Sequence, residues 1–275
     1  MYKFNIKEMS LYKTTDRFLN NYNHLKKSLK REPTIEEMSD IDQLHYNGIE
    51  AVNEAIFKTN INKNSLVLDI GSGIGGPARY ITSKTNSTVY AIEIQKELNY
   101  IAKKLTFNYK LNTFIHHIFA DILTFNFKEL KFDSIVSWLA LYHIPDRTKL
   151  LKNLYKLLNV DGHVYVEDFY LKKNLSSEEK INLSKKFHAN HLVNFKSYQN
   201  ELINNKFQIL EFTDMSENWT KFTKNRLDKF KKNYDRNIQI NDKVTTDNVL
   251  SFYELAFKLL SNEVIGGIKY VAKKK

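Results

Sequence analysis

Cysteine is absent from the 275 residues. Disulfides, Cys-ligated zinc and a thiol nucleophile are therefore excluded together. No apolar run approaches the roughly 18 residues that a membrane-spanning helix needs. Met1–Ser10 mixes Lys and Glu with scattered apolar residues and lacks the apolar stretch and small-residue cleavage site of a secretory signal. Glu8 and Asp16, with Arg sparse, argue against a mitochondrial presequence. A cytoplasmic location is the expectation. Arginine is scarce too: Arg17, Arg31, Arg79, Arg147, Arg226 and Arg236 are the only six among 42 basic residues. The net charge of +11 is thus a lysine excess. Because Arg is the better fork for phosphates and bases, the excess is not read as nucleic-acid binding. The basic stretches Lys26–Arg31 and Lys221–Lys232 read as solvated helix faces. Glycine and proline are the last scarcity, at 8 and 3 residues. Four of the glycines (Gly71, Gly73, Gly75 and Gly76) nevertheless fall within six residues, with Pro77 next. That cluster marks a place needing positive φ or close backbone approach.

What is present is an alternating pattern. Residues 1–60 read as helical, with Leu11, Phe18, Leu19, Tyr22 and Leu25 forming an apolar stripe, a helix start at Pro33-Thr34, and a helix over Gln43–Lys58. The period then shortens. Ser65–Ile70, Thr88–Ile94, Thr113–Phe119, Phe132–Trp138 and Gly162–Phe169 read as strands. Helices are expected at Ala78–Lys84, at Lys96–Tyr109 and from Pro145-Asp146 onward. Strands alternating with helices predict βαβ units and a parallel sheet. Leu171–His191 reads as polar helix, Phe207–Thr213 and Gly267–Lys273 as strands, and two helices are expected near Glu217–Tyr234 and Thr246–Ser261. The expected unit is a single α/β domain: a helical N-terminal cap (1–60), then a body (61–275) carrying a helical lid insertion (171–205).

The chemistry concentrates in Val67-Leu68-Asp69-Ile70-Gly71-Ser72-Gly73-Ile74-Gly75-Gly76-Pro77. A strand ends, the chain turns on glycines, and a helix begins, leaving main-chain N–H groups open to a ligand. Glu93, 22 residues after Gly71, ends the second strand, where a carboxylate can accept from both hydroxyls of a ribose. To this point any adenosine-containing cofactor fits, a nicotinamide dinucleotide included. Asp69 favours a cofactor with a cationic amino-acid end, since a carboxylate there would repel a pyrophosphate. Asp121 can accept from an adenine amino group, with Ile122 against the ring.

With Leu141-Tyr142-His143-Ile144-Pro145-Asp146 after the fourth strand, this set resembles the class I S-adenosylmethionine-dependent methyltransferases. Asp42-Gln43-Leu44-His45-Tyr46-Asn47-Gly48-Ile49-Glu50-Ala51, the GSGIGGPARYI segment and Asp214–Trp219 resemble the branch holding the sarcosine/dimethylglycine and phosphoethanolamine N-methyltransferases. The resemblance implies a doubly wound, mostly parallel seven-stranded Rossmann-like sheet closed by an antiparallel hairpin. It implies a cofactor site of Asp69, Gly71, Ser72, Gly73, Glu93, Ile94, Asp121, Ile122 and Ser137, which takes S-adenosylmethionine and releases S-adenosylhomocysteine. His143 matches the histidine that follows the fourth strand in the phosphoethanolamine enzymes. The Arg and Tyr that grip phosphate in those enzymes fall on His188 and Asn190 here.

The expected reaction is methyl transfer to a small-molecule acceptor, foremost an amine, with an O-, S- or C-acceptor or an inactive binding subunit as alternatives. His143 is the candidate catalytic group, because amine methylation needs a neutral nitrogen and histidine titrates near physiological pH. Gln43, His45, Tyr46, Trp138, Tyr142 and Asp168 are candidate substrate contacts. Trp138 can stack on a cation. No metal is expected: His188 and His191 share a helical spacing without a matching carboxylate, and His116 and His117 face opposite ways on a strand. A small-molecule partner is expected, no nucleic acid, and a monomer or homodimer.

Overall fold

The computed structural model describes residues 14–275. The reading of the N-terminal segment, Leu11 of the helical stripe included, lies outside the described residues. The cap consists of α1 (Asp16–Leu29), the single turn α2 (Ser39–Asp42) and α3 (Gly48–Lys58). The helix start expected at Pro33-Thr34 closes only a capping box. Thr34 Oγ1 accepts from Glu37 N (3.2 Å) and Glu37 Oε2 from Thr34 N (2.7 Å). The helix expected from Gln43 begins five residues late. Asn47 and Gly48 take positive φ (57° and 53°), which a right-handed helix cannot continue through.

The body alternates β1 (Leu66–Ile70), α4 (Gly76–Thr85), β2 (Thr88–Glu93), α5 (Lys96–Asn108), β3 (Ile115–Phe119), β4 (Phe132–Trp138), α6 (Arg147–Leu157) and β5 (Leu158–Leu171). It continues with α7 (Ser177–Lys186), α8 (Phe195–Asn204), β6 (Phe207–Asp214), α9 (Ser216–Lys232), α10 (Tyr234–Asn241), α11 (Lys243–Ser261) and β7 (Ile265–Lys274). The seven strands form one sheet in the order β3-β2-β1-β4-β5-β7-β6. The first five are parallel, and β7 runs antiparallel between β5 and β6. Both faces are covered at the centre of the sheet, so β1 and β4 are buried along nearly their whole length. Leu68, Ile135 and Val166 pack on one side, and Val67, Val136 and Tyr165 on the other. Strand order reverses between β1 and β4, and ligands of open α/β sheets bind outside the carboxyl ends at such a point.

Two expectations are corrected. Three helices, not two, lie between β6 and β7. α10 fills the gap left between the two expected helices, and Asp242, with φ 72°, ends it and caps α11 by accepting from Thr245 N at 2.7 Å. The segment 171–205, expected as a lid, packs on the sheet instead: α8 seals its face, with buried Tyr198 and Leu202 joining the core of Val166, Ile268 and Tyr270.

The cap is locked to the body by a fully buried ion pair. Arg79 Nη2 lies 2.9 Å from Asp42 Oδ2, and both side chains have no exposed surface. Arg79 Nη1 also donates to the Ile74 carbonyl (2.8 Å) and Thr106 Oγ1 (3.3 Å). One guanidinium thus ties α2, the glycine turn and α5 together.

Candidate functional site

The turn from β1 into α4 runs through Gly71 (φ 70°), Gly73 (φ 53°) and Gly75 (φ 78°). At Gly71 a Cβ would also overlap Ala140, which packs directly on the turn. Main-chain bonds from Gly71 N (2.9 Å) and Ser72 N (3.2 Å) to the Ile92 carbonyl hold the turn against β2.

Two buried carboxylates flank it. Glu93 Oε2 accepts from Gly73 N at 2.9 Å and Oε1 from Gln95 N at 2.8 Å. Burial still pushes its carboxyl up to about 7, against the downward pull of those N–H groups. Asp69 is 1% exposed. Burial, and then the charge of Glu93, push it up to about 8. Asp69 Oδ2 and Ser72 Oγ are buried and accept no hydrogen bond from any protein group. No ion pair to either acid is formed among the described residues. A buried, unpaired carboxylate is costly, and a ligand bringing a cation and hydroxyls would relieve the cost.

The other residues expected around this turn fall beside it. Ser137 Oγ donates to the Ile70 carbonyl (2.9 Å), pinning the end of β1. Asp121 Oδ1 accepts from Leu123 N (2.8 Å), while Ile122 is buried and Ile94 is 50% exposed beyond β2.

A cavity of about 680 Å³ opens between the cap and the C-terminal helices. Its floor includes Leu139, Tyr142 and Phe169 from the ends of β4 and β5, and its roof is α9–α11, with no contribution from 171–205. Leu44 lines it and also approaches Gly73, where a Cβ would stand 3.4 Å from Leu44 Cδ1, so cavity and turn meet there. Of the expected substrate contacts, Gln43, Tyr46 and Tyr142 line this cavity. His45 lies beneath, its ring stacked on Trp138 at 5.2 Å, and burial pushes it down to about 4. Asp168 points to the opposite sheet face, where Oδ2 accepts from Tyr198 Oη (2.9 Å) and burial raises its carboxyl to about 6.

His143 packs against Tyr142, ring centroids 3.8 Å apart. Its Nδ1 lies 3.1 Å from the His188 carbonyl. A carbonyl only accepts, so Nδ1 carries the proton and Nε2 keeps its lone pair. Burial pushes this imidazole down to about 3, so it stays neutral at physiological pH. Among the described residues no group of three or more His, Asp or Glu could hold a metal ion.

Sequence reasoning missed Leu44, Leu139, Phe222 and Arg226. Only Arg226 carried a signal, as one of few arginines in a lysine-biased chain.

Residues 68–166, the span from β1 to the middle of β5, match a family model described as a methyltransferase domain. The sheet order is that of the Rossmann-like methyltransferase fold. The phosphoethanolamine N-methyltransferase of Plasmodium falciparum is 31% identical over 179 residues, 62% of this chain and 64% of that protein. The sterol 24-C-methyltransferase of Clavispora lusitaniae is 34% identical over 109 residues, 38% of this chain and 28% of that protein. In structure, the phosphoethanolamine N-methyltransferase 2 of Haemonchus contortus, solved with phosphomonomethylethanolamine and S-adenosylhomocysteine, superposes with a TM-score of 0.80. That match covers 98% of this chain and 61% of that one at 16% identity, and it establishes the fold. The chain spans less than two thirds of the length of each of these relatives. In this fold the glycine turn and its two acids stand at the switch point, and the cavity adjoins them.

Proposed function

We propose that this chain is an S-adenosylmethionine-dependent methyltransferase of a small-molecule acceptor, foremost an amine, working in the cytoplasm. The absence of cysteine fits that reducing compartment. One observation carries the reading: the paired buried acids Asp69 and Glu93, lacking a cation, beside a glycine turn at the switch point of the sheet, with Ser72 Oγ unpartnered between them. S-adenosylmethionine fits that donor set by charge and by its hydroxyls, and when bound it supplies an electrophilic sulfonium methyl. Asp69 would hold the cationic amino-acid end, with Ser72 Oγ as a further contact. Glu93 would hold the ribose hydroxyls, and Asp121, Ile122 and Ile94 the adenine.

The remaining groups position the acceptor. Leu44, Leu139 and Tyr142 exclude water between turn and cavity, which strengthens electrostatics and aligns the nucleophile. His143 does not line the cavity but packs on the ring of Tyr142, which does, so it would act on the acceptor by holding Tyr142. An imidazole held near pKa 3 is a weak final base, so its contribution is orientation more than proton removal.

The C-methylation alternative is kept because a sterol C-methyltransferase is among the relatives. Calorimetric titration with S-adenosylmethionine, followed by a radiolabelled-methyl screen over amines, phenols, thiols and alkenes, tests the reading. Micromolar binding, lost in Asp69→Ala and Glu93→Ala, is expected. His143→Ala is expected to lower kcat at least tenfold with cofactor affinity unchanged. Absence of binding in the parent protein sinks the proposal.

A further inference from the structure

We infer that the acceptor is an amphipathic acid, its apolar body lying along the aromatic wall of the cavity and its anionic group held by Arg226. The inference rests on the reading of the cavity as the acceptor site.

The argument starts from the six arginines. Arg79 pairs with Asp42 (2.9 Å), Arg147 with Glu201 (2.7 Å) and Arg31 with Glu37 (2.6 Å). Of the rest, Arg226 and Arg236 line the same cavity. Neither Arg226 nor Arg236 has a carboxylate partner among the described residues. Of the acids along the same walls, Asp40 is taken by Lys229 (2.7 Å) and Glu37 by Arg31, while Glu50 is exposed on α3. The cavity therefore holds positive charge that the protein does not neutralise.

Arg226 is the best placed to use it. Its Nη2 donates to the His45 carbonyl at 2.7 Å, which fixes the guanidinium. Its Cζ lies 4.7 Å from the Phe222 ring centroid, 5.8 Å from Tyr46 and 5.9 Å from Tyr253. Such a cage favours Arg over the more strongly hydrated Lys. The guanidinium has five N–H donors, and those not used on His45 suit a carboxylate or a phosphate.

The rings also set the acceptor's shape. From Arg226 they run through Phe222 to Tyr46 (5.7 Å between centroids), on to Phe169 (6.0 Å) and to Tyr142 (5.2 Å), beside His143. Because Arg226 also lies over Tyr46, two ring contacts, Tyr46–Phe169 and Phe169–Tyr142, separate the cation from the proposed reacting end. At about 30 Å³ per water-sized group, the cavity holds roughly twenty such groups. A compact amino acid or phosphobase fills only part of that volume. A longer apolar body with an acid at its far end fills it along the ring wall.

The test uses decanoate, 1-decanol and decyltrimethylammonium as probes of the full chain, followed by tryptophan fluorescence. Trp219 reports, lying 4.7 Å from Tyr46. The parent protein is expected to bind decanoate at least tenfold tighter than either other probe, with the preference shrinking as salt rises. Arg226→Gln is expected to abolish the preference while leaving decanol binding and S-adenosylmethionine affinity unchanged, and Arg226→Lys to retain part of it. Equal binding of decanoate and decanol by the parent protein overturns the inference without any variant having to fold. So does a folded Arg226→Gln that keeps the preference. If S-adenosylmethionine does not bind while decanoate is preferred, the methyltransferase reading fails separately.

Discussion

Replacing Arg79 with Met is expected to loosen the cap and the cofactor turn together. The side chain has no exposed surface, and its guanidinium holds Asp42 (2.9 Å), the Ile74 carbonyl (2.8 Å) and Thr106 Oγ1 (3.3 Å). Met approximates the aliphatic volume but supplies no donor. The Asp42 carboxylate is then left buried with only Gln43 Nε2 at 3.4 Å. Breaking one side of a buried pair costs about 3–5 kcal/mol, mostly because the surviving charge is unpaired. At roughly 2–4 °C per kcal/mol for a chain of this size, the melting temperature falls by roughly 6–20 °C. Because the pair joins α2 to α4, loss is expected first at the cap, as faster hydrogen exchange over residues 16–42 at denaturant concentrations where the sheet stays protected. Adding Asp42→Asn removes the orphan charge, and the double variant is expected to regain at least half of the loss. A single-variant loss below about 1 kcal/mol, or a double variant no more stable than the single, would falsify the latch.

Two further outcomes follow from the turn. Asp69 and Glu93 ionise at about 8 and 7 in the folded chain, above their ordinary 3.8 and 4.5. The folded state therefore binds more protons than the unfolded one, and stability of the ligand-free protein falls as pH rises from 6.5 to 9. Unfolded histidines, with an ordinary pKa of 6.5, still bind protons at the low end and oppose the slope there, so it is read above about pH 7.5. Denaturant melts should show the slope, and Asp69→Asn should reduce it; a flat parent profile refutes the charge assignment. A cationic ligand prefers both acids ionised, so binding at pH 6.5 should release protons, read by calorimetry in buffers of different ionisation enthalpy. Gly71→Ala places a Cβ against Ala140 at φ 70° and is expected to cost about 2–5 kcal/mol. Gly48→Ala, at φ 53° with nothing within 4 Å, should cost only about 1–2 kcal/mol. Equal losses in urea titrations would contradict the packing argument.

Local signals made much of this molecule readable. Runs such as SLVLDI and TVYAIEI are too short and too β-branched to be helices, so β1 and β2 were evident, and a glycine cluster in a glycine-poor chain marked the turn. Asp69 and Glu93 followed, because the strand end determines where their carboxylates go. Asp146 as a helix cap was legible for the same reason, its bond to Lys149 N spanning three residues. The burial of Gln43, His45 and Tyr46 was less so, because it comes from packing against distant elements.

The cavity was not legible at all. Periodicity tells which side of a helix is apolar but not which surface it meets, and the polar face of Leu171–His191 suggested a lid where α9–α11 form the roof instead. Arg226 reaches the His45 carbonyl across 181 residues of chain, and Tyr46 meets Trp219 in the same way. The linear chain by itself determined the elements, the glycine turn and its two acids, since each depends on neighbours a few positions away. Only the folded packing decided what encloses the second site and which arginines stay without a carboxylate, because those depend on contacts between segments that no spacing rule connects.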